Sequence, residues 1–383
     1  MDLEFFADGV SGICAHSPVA PGRALRWTII ANPTAGGFTI GSRWKRHHRA
    51  LVEYREKAAA LPPRENSGAS EAAKKFAPNP RFSACGFIPT TGPGHGRKIT
   101  EAVIEEAASG IRSEGSAAPF HLIVTSGGDG TSLEALSALY NAPAALRGNV
   151  AILRFPMGTG NDGADAEDLP GALELLVNPV RLEYARALRL LVSPEGPARS
   201  KGPFLAFNIL SVGLDAFVTH MTNKMKGKLP GDSYKLWVDI ASLLYDRLYK
   251  VDFLEVRALD EQKREITAFR EKLLLLAVGS SGHRTYGSRK KILPDYRNVC
   301  AVRQMPLYRK LLLKGLFTTG AHIHKPESIL FNAHRVEFSG SFPLLAQMDG
   351  ETVLLQKEDF PAAIELADPV IPVLKLGAGH GSP

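Results

Sequence analysis

Ser126-Gly127-Gly128-Asp129-Gly130-Thr131, entered from the apolar run His121-Leu122-Ile123-Val124, decides how this chain folds. A short apolar run that breaks into adjacent glycines reads as a buried strand ending in a tight turn. Glycines permit positive φ and let an anion approach backbone that any Cβ would shield. Asp129 is suited to orient a metal-bound water or to accept a proton. Thr131 offers a hydroxyl at the start of the next helix, and Glu134 follows one turn along it. The plainer reading is a strand-to-helix turn in which Asp129 only caps the helix.

Two further stretches repeat the pattern. Trp27-Thr28-Ile29-Ile30-Ala31 runs into Asn32-Pro33-Thr34-Ala35-Gly36-Gly37, and Val150-Ala151-Ile152-Leu153 runs into Pro156-Met157-Gly158-Thr159-Gly160-Asn161-Asp162. In an open parallel sheet such turns gather at one edge, where backbone N–H groups bind anions and nucleotides. Three of them in one domain predict a phosphate cradle built from several loops.

Between these turns the first half alternates strand and helix. Charged residues from Arg43 to Leu61 predict a helix, and residues 98–112 show helix spacing through Ile99, Val103, Ala107 and Ile111. Residues 62–80, rich in Pro, Gly, Ser and Asn, read as a surface excursion. The fold class expected is an α/β domain whose parallel sheet is flanked by helices. From about residue 180 β-rich runs dominate, among them Phe253–Leu259, Leu273–Val278 and Val299–Val302, with helices at 233–249 and 306–317. Many strands with few crossover helices predict an antiparallel sandwich. The division expected is an extension over 1–26, the α/β domain over 27–178, the β-rich domain over 179–358, and a segment over 359–383 returning to the first domain.

Composition narrows the classes. With 44% hydrophobic and 22% charged residues, the 383-residue chain is of ordinary globular type and has room for two cores. No apolar run approaches the roughly 20 residues of a membrane-spanning helix. Asp2 and Glu4 replace the basic start of a secretory signal. Cys14, Cys85 and Cys300 are scattered without metal or disulfide spacing, which fits a reducing cytosol. The expected location is cytoplasmic, or peripheral at the inner membrane face. A formal charge of +7 favours polyanionic partners, although no aromatic–basic interleaving points to nucleic acid.

Gly158, Gly160 and Gly163 form a literal G-x-G-x-x-G, but the dinucleotide fingerprint opens the first βα unit of its domain. Here it follows several strands, and Glu183, at the distance of the expected acidic residue, falls near the domain change. An NAD(P)-dependent oxidoreductase is therefore the weakest reading. The Walker P-loop, the protein-kinase motif set and the G-x-S-x-G elbow are all absent.

The chain resembles the diacylglycerol kinase catalytic-domain superfamily, which includes bacterial lipid kinases and sphingosine and ceramide kinases. The three turns carry the resemblance together with Asn208…Gly213-Leu214-Asp215-Ala216, Gly231…Tyr234, Gly320-Ala321-His322 and Asp349-Gly350-Glu351, in family order over roughly residues 27–376. It implies a two-domain kinase that uses ATP and Mg²⁺ to phosphorylate a lipid hydroxyl, diacylglycerol or a relative. By that resemblance Asn32, Thr34, Gly37, Thr90, Thr91, Ser126, Gly127, Gly128, Asp129, Gly130, Thr131, Glu134, Gly158, Thr159, Gly160, Asn161 and Asp162 line the nucleotide. Glu351 or Asp349 then faces it across a cleft as the base that takes the lipid hydroxyl proton, with Asp129 as a further catalytic carboxylate. Phosphoryl transfer asks for that division of labour: positioning, charge neutralisation and one proton acceptor. Taken alone, Asp349-Gly350 reads as a β-turn between strands.

Two departures stand out. A basic residue usual after the third turn is replaced by Gly163-Ala164-Asp165. The acidic loop that holds a structural Mg²⁺ in bacterial members is shortened, leaving Asp295 as its one carboxylate and the weak metal candidate. An NAD kinase-like enzyme and a non-catalytic nucleotide or lipid sensor therefore stay open.

Leu307, Leu311 and Leu312 with Lys310 and Lys314 predict an amphipathic helix after Pro306, within a basic segment from Arg284 to Lys314. It reads either as a face toward an anionic membrane surface or as a surface helix with its leucines in the core. His47-His48 and His322-x-His324 lack the partners of a metal site and read as surface histidines. An edge strand of the second domain leaves a homodimer open.

Overall fold

The apolar runs of the first half become parallel strands of one sheet: β1 (Leu25–Ala31), β2 (Gly68–Ala69), β3 (Phe87–Pro89), β4 (Phe120–Gly127) and β5 (Val150–Pro156). This computed structural model describes residues 2–158, 161–225, 245, 249, 251–287 and 290–377. The chain divides into two units, Met1–Ala185 with Pro369–Pro383, and Arg186–Asp368.

In the first unit β1 pairs with β4 on one side and with β2 and β3 on the other, and β5 pairs with β4. β18 (Ala362–Leu376) adds outside β5, parallel, with Val373 opposite Ile152. Every position of β4 and β5 is buried. Unbroken apolar runs are what strands covered on both faces require. Ile29, Leu122, Val124, Ala151 and Leu153 share a core with α1 (Leu3–Cys14), α3 (Gly41–Ala59) and α8 (Leu169–Val177). The alternate residues Ile30, Ile123 and Ile152, equally buried, belong to the face where α6 (His95–Glu114) and α7 (Asp129–Tyr140) contact β4.

Residues 1–26 are more than an extension. The stripe Phe6, Val10 and Ile13 of α1 is fully buried, and the Phe6 ring centroid lies 5.0 Å from that of Phe38 and 6.2 Å from that of Phe87. Burial of one such ring contributes about 2 kcal/mol. Residues 62–80 also differ from expectation, for they include β2 and α4 (Glu71–Phe76) and lead into α5 (Pro80–Cys85). Their polar residues are caps rather than loop filler. Ser70 Oγ accepts from the Ala73 amide at 3.0 Å, and Asn79 Oδ1 accepts from the Phe82 amide at 3.0 Å.

The second unit is antiparallel and strand-rich. The fifteen-residue β10 (Glu265–Gly279) organises it. The first half of β10 pairs with β9 (Phe253–Leu259), and β9 with β15 (Arg335–Ser339). Its second half pairs with β8 (Ile209–Gly213) and β13 (Val299–Arg303). The exposure alternates in the first half and vanishes in the second, as expected of a strand that passes from a one-faced to a two-faced environment. Val256, Val336 and Ile364 from one sheet share a core with Leu210, Leu276 and Ala346 from the other. β16 (Leu344–Met348) and β17 (Glu351–Leu355) form a hairpin beside β8. The helix expected over 233–249 lies outside the described residues except at 245 and 249.

Candidate functional site

Register brings the turns of the first unit together. Ala31 is opposite Ser126 and Pro89, and Gly127 is opposite Pro156, so β1, β3, β4 and β5 end side by side. Asn32, Thr90, Gly128 and Met157 therefore follow at one sheet edge. Backbone bonds weld the edge: the Asn32 amide donates to Ser126 O at 2.9 Å and the Thr90 amide to Ala31 O at 2.7 Å.

The second turn opens α7. Gly128 is its N-cap, and no side chain caps the first turn, so the helix end presents its N–H groups and positive partial charge. A Cβ added at Gly127 would stand 2.4 Å from Thr131 Oγ1, whereas one added at Gly130 meets nothing within 4 Å. Gly127 is thus required for packing, and Gly130 faces open space. The Ser126 hydroxyl beneath is buried with no hydrogen-bond partner. An uncapped helix end, an open glycine and an unsatisfied hydroxyl fit a bound anion such as a nucleotide phosphate. Asp129 Oδ1 accepts from the Gly163 amide at 3.1 Å and so ties the second turn to the third.

Glu134 serves the loop after β3 instead of projecting into the open space. Its two oxygens accept from the amides of Gly94 at 2.6 Å and Gly96 at 2.8 Å, which fixes the start of α6 against α7. In the same loop the Thr91 amide donates to His95 Nδ1 at 3.1 Å.

The first and third turns close on each other. Asn32 Oδ1 accepts from the Thr34 amide at 3.0 Å and from its hydroxyl at 2.8 Å. The Gly37 amide donates to Met157 O at 2.7 Å, an approach that a Cβ at Gly37 would block. Asn161 Oδ1 accepts from the Gly158 amide at 2.7 Å and stitches its own turn. Asp162 is half-buried just beyond. Thr159 and Gly160 lie outside the described residues.

Three residues here were not singled out from the sequence. Arg154 on β5 pairs with Asp165 at 2.7 Å, the carboxylate side chain only 1% exposed. Asp165 thus anchors the third turn to its own strand. Arg43 of α3 donates to Gly158 O at 3.1 Å and brings a guanidinium to the third turn. Charge alternation in a helix gives no sign of such a contact.

In the second unit the two carboxylates of Asp349-Gly350-Glu351 separate in role. Asp349, at φ +46°, begins the hairpin turn, and its carboxylate accepts from the backbone amides of Phe207, Asn208 and Ile209. It is a fastener for the entry to β8. Glu351 is exposed and has no hydrogen-bond or ion-pair partner among the described residues.

Asp295 does not fit a divalent cation. Arg297 binds both of its oxygens, Nε at 3.1 and 3.0 Å, and this hydrogen bonding holds the Asp295 carboxyl below its usual range against a smaller opposing effect of burial. No cluster of three or more metal-ligating side chains occurs among the described residues. Among the histidines, His48 and His324 are exposed as expected, and His322 departs from expectation. His322 is fully buried, stacked on Phe317 at 4.0 Å, and burial lowers its pKa to about 4. Its ring is core filling, while His48 stacks on Phe5 at 4.1 Å. No helix among the described residues is long and apolar enough to cross a membrane.

Comparison with known proteins agrees with this geometry. Residues 26–191 match the diacylglycerol kinase catalytic domain. Two solved structures from Bacillus anthracis str. Sterne, both of proteins assigned as diacylglycerol kinases, are similar in fold. Each is 16% identical over 91% of this chain and 96% of its own, with TM-scores of 0.53 and 0.52. At that identity the likeness speaks for the fold alone. No curated protein matches the chain. Across the strands and turns that build this sheet edge, residues 26–191 are similar to the diacylglycerol kinase catalytic domain, and the chain shares the fold of the two solved structures.

Proposed function

We propose that the protein transfers the terminal phosphate of ATP directly to the hydroxyl of diacylglycerol or a related lipid. The observation that carries the reading is the uncapped start of α7 beneath open space at Gly130, set among four aligned strand ends. Amides at this helix end receive the phosphates, Thr34 and Thr90 flank them, and Arg43 adds positive charge near the third turn. Mg²⁺ bound with the nucleotide would supply neutralisation of the phosphate charge, and Asp129 is the carboxylate that would hold it. Glu351 takes the proton of the lipid hydroxyl, because it is the exposed carboxylate of its pair and Asp349 is committed to backbone. Peripheral contact with an anionic membrane surface and a cytoplasmic location accompany this reading.

The test is incubation with labelled ATP and Mg²⁺ against diacylglycerol, ceramide, sphingosine, undecaprenol and NAD. A labelled lipid is the expected product. Label in NAD alone would give the protein to the NAD kinase-like class. Nucleotide or lipid binding without turnover would make it a sensor, a reading favoured by the Asp295–Arg297 pair where relatives hold a metal.

A further inference from the structure

Helix α10 (Leu307–Thr319) packs Leu313 and Phe317 against a core and carries a second apolar stripe that is exposed. Leu307, Tyr308, Leu311 and Leu312 are 43%, 64%, 53% and 60% exposed. Positions 307 and 311, and 308 and 312, are each four apart, so the four side chains form one stripe on adjacent turns. The charged side chains described on the helix lie elsewhere. Lys310 is buried, and Arg309 pairs with Glu327. A helix packed on a soluble domain normally turns its apolar side inward. One exposed leucine needs no explanation, whereas a contiguous apolar stripe marks a surface that something covers.

The surroundings state the chemistry of that cover. Pro306, the N-cap of α10, borders an open groove of about 500 Å³ that is also lined by Phe253, Glu271, Lys272 and Arg303, with Arg303 paired to Glu271 at 3.0 Å. Phe253 is itself 41% exposed. The Arg270 guanidinium lies 4.4 Å and the Lys272 ammonium 5.1 Å from its ring centroid. Apolar side chains beside a groove in which Lys272 leaves the charge balance positive, on a chain of net charge +7, complement a surface that is apolar inside and anionic outside.

We infer that this face of the second unit docks on an anionic lipid bilayer, with the α10 stripe entering the acyl boundary and the groove cations meeting headgroup phosphates. The choice of a bilayer over a protein partner rests in part on the lipid-kinase reading above. The stripe and the groove stand without it.

The experiment is sedimentation of the full chain, without ATP, with vesicles of phosphatidylcholine alone or mixed with phosphatidylglycerol, at low and high salt. The wild type is expected to bind the mixed vesicles, and salt to weaken that binding. Leu311→Glu with Leu312→Glu should lower the affinity at least about tenfold, and Lys272→Glu about fivefold. All three side chains are outside the core, so melting temperatures should stay those of the wild type. Wild-type vesicle binding by the double variant overturns the proposal, as does wild-type binding indifferent to lipid charge and salt, or none at all. A double variant that loses self-association in ultracentrifugation but keeps vesicle binding assigns the face to a second copy instead. Turnover of a short-chain, water-soluble diacylglycerol separates the two readings. The double variant should retain it, and failure of the wild type to phosphorylate it counts against the kinase and not the docking face.

Discussion

Oδ1 of Asp349 lies 2.9 Å from the backbone nitrogen of Ile209, and the same carboxylate also receives the amides of Phe207 and Asn208. A turn residue thus holds the start of a strand 140 positions earlier in the chain. Asp349→Ala should leave buried amides unsatisfied and lower stability by about 3 kcal/mol in urea unfolding. Glu351→Gln should leave the unfolding midpoint alone and cut lipid phosphorylation at least about tenfold. The reverse pattern would exchange their roles.

Two glycines of one turn should behave oppositely. Gly127→Ala drives a Cβ into Thr131 and should destabilise the first unit by about 1–3 kcal/mol. Gly130→Ala meets no protein atom and gains helix propensity, so thermal stability should hold or rise by up to about 1 kcal/mol. Nucleotide affinity, measured by calorimetry, should nevertheless fall in Gly130→Ala. Unchanged affinity there would move the phosphates away from the start of α7.

Glu134→Gln keeps the shape of the side chain while discharging the group that holds Gly94 and Gly96. Charge-assisted bonds to the two amides should weaken, at a cost of about 1–2 kcal/mol. Hydrogen exchange should quicken first at Gly94 and Gly96. Protection equal to the wild type at those amides would refute the positioning role.

Asp165→Ala removes the carboxylate that pairs with Arg154 in a nearly dry site. Breaking a buried pair by removing one partner typically costs about 3–5 kcal/mol. The double variant Arg154→Met with Asp165→Ala should recover much of that loss in thermal melts, because no lone buried charge remains.

Acid should loosen the first unit through His121. Burial, then the charges of Arg26 and Arg23, lowers its pKa to about 4 from the usual 6.5 of a histidine. Between those values the unfolded chain binds a proton that the folded unit refuses. The contribution is complete above pH 6.5 and is lost as the pH falls toward 4, on the order of 3 kcal/mol in all. Urea midpoints of His121→Gln should vary less with pH across that interval. An equally steep acid limb in the variant would exonerate this histidine.

The sequence is most legible where local chemistry and global packing demand the same residues. Uninterrupted apolar runs announce β4 and β5, and the glycines after them mark where the sheet must open to a ligand. Caps are harder to read, because Ser70 and Asn79 have the composition of loops and act only through amides three residues on. Hardest are features set by what lies opposite. Nothing local tells that Asp165 meets Arg154, that His322 stacks in a core, or that α10 turns Leu307, Leu311 and Leu312 outward. The Asp349-Gly350-Glu351 triplet is singled out by the family resemblance and alone reads as a turn, and three distant amides mark Asp349 as an anchor.

The position of β18 has a consequence for how the protein is made. Residues 186–368 form one continuous unit, while the first unit takes its outer strand from residues beyond 369. Synthesis runs from the N-terminus, and domains generally fold as units in that order. Here the order inverts. The ribosome delivers every residue of the second unit before Val373 can reach Ile152, so the half of the chain that begins first is the half that closes last.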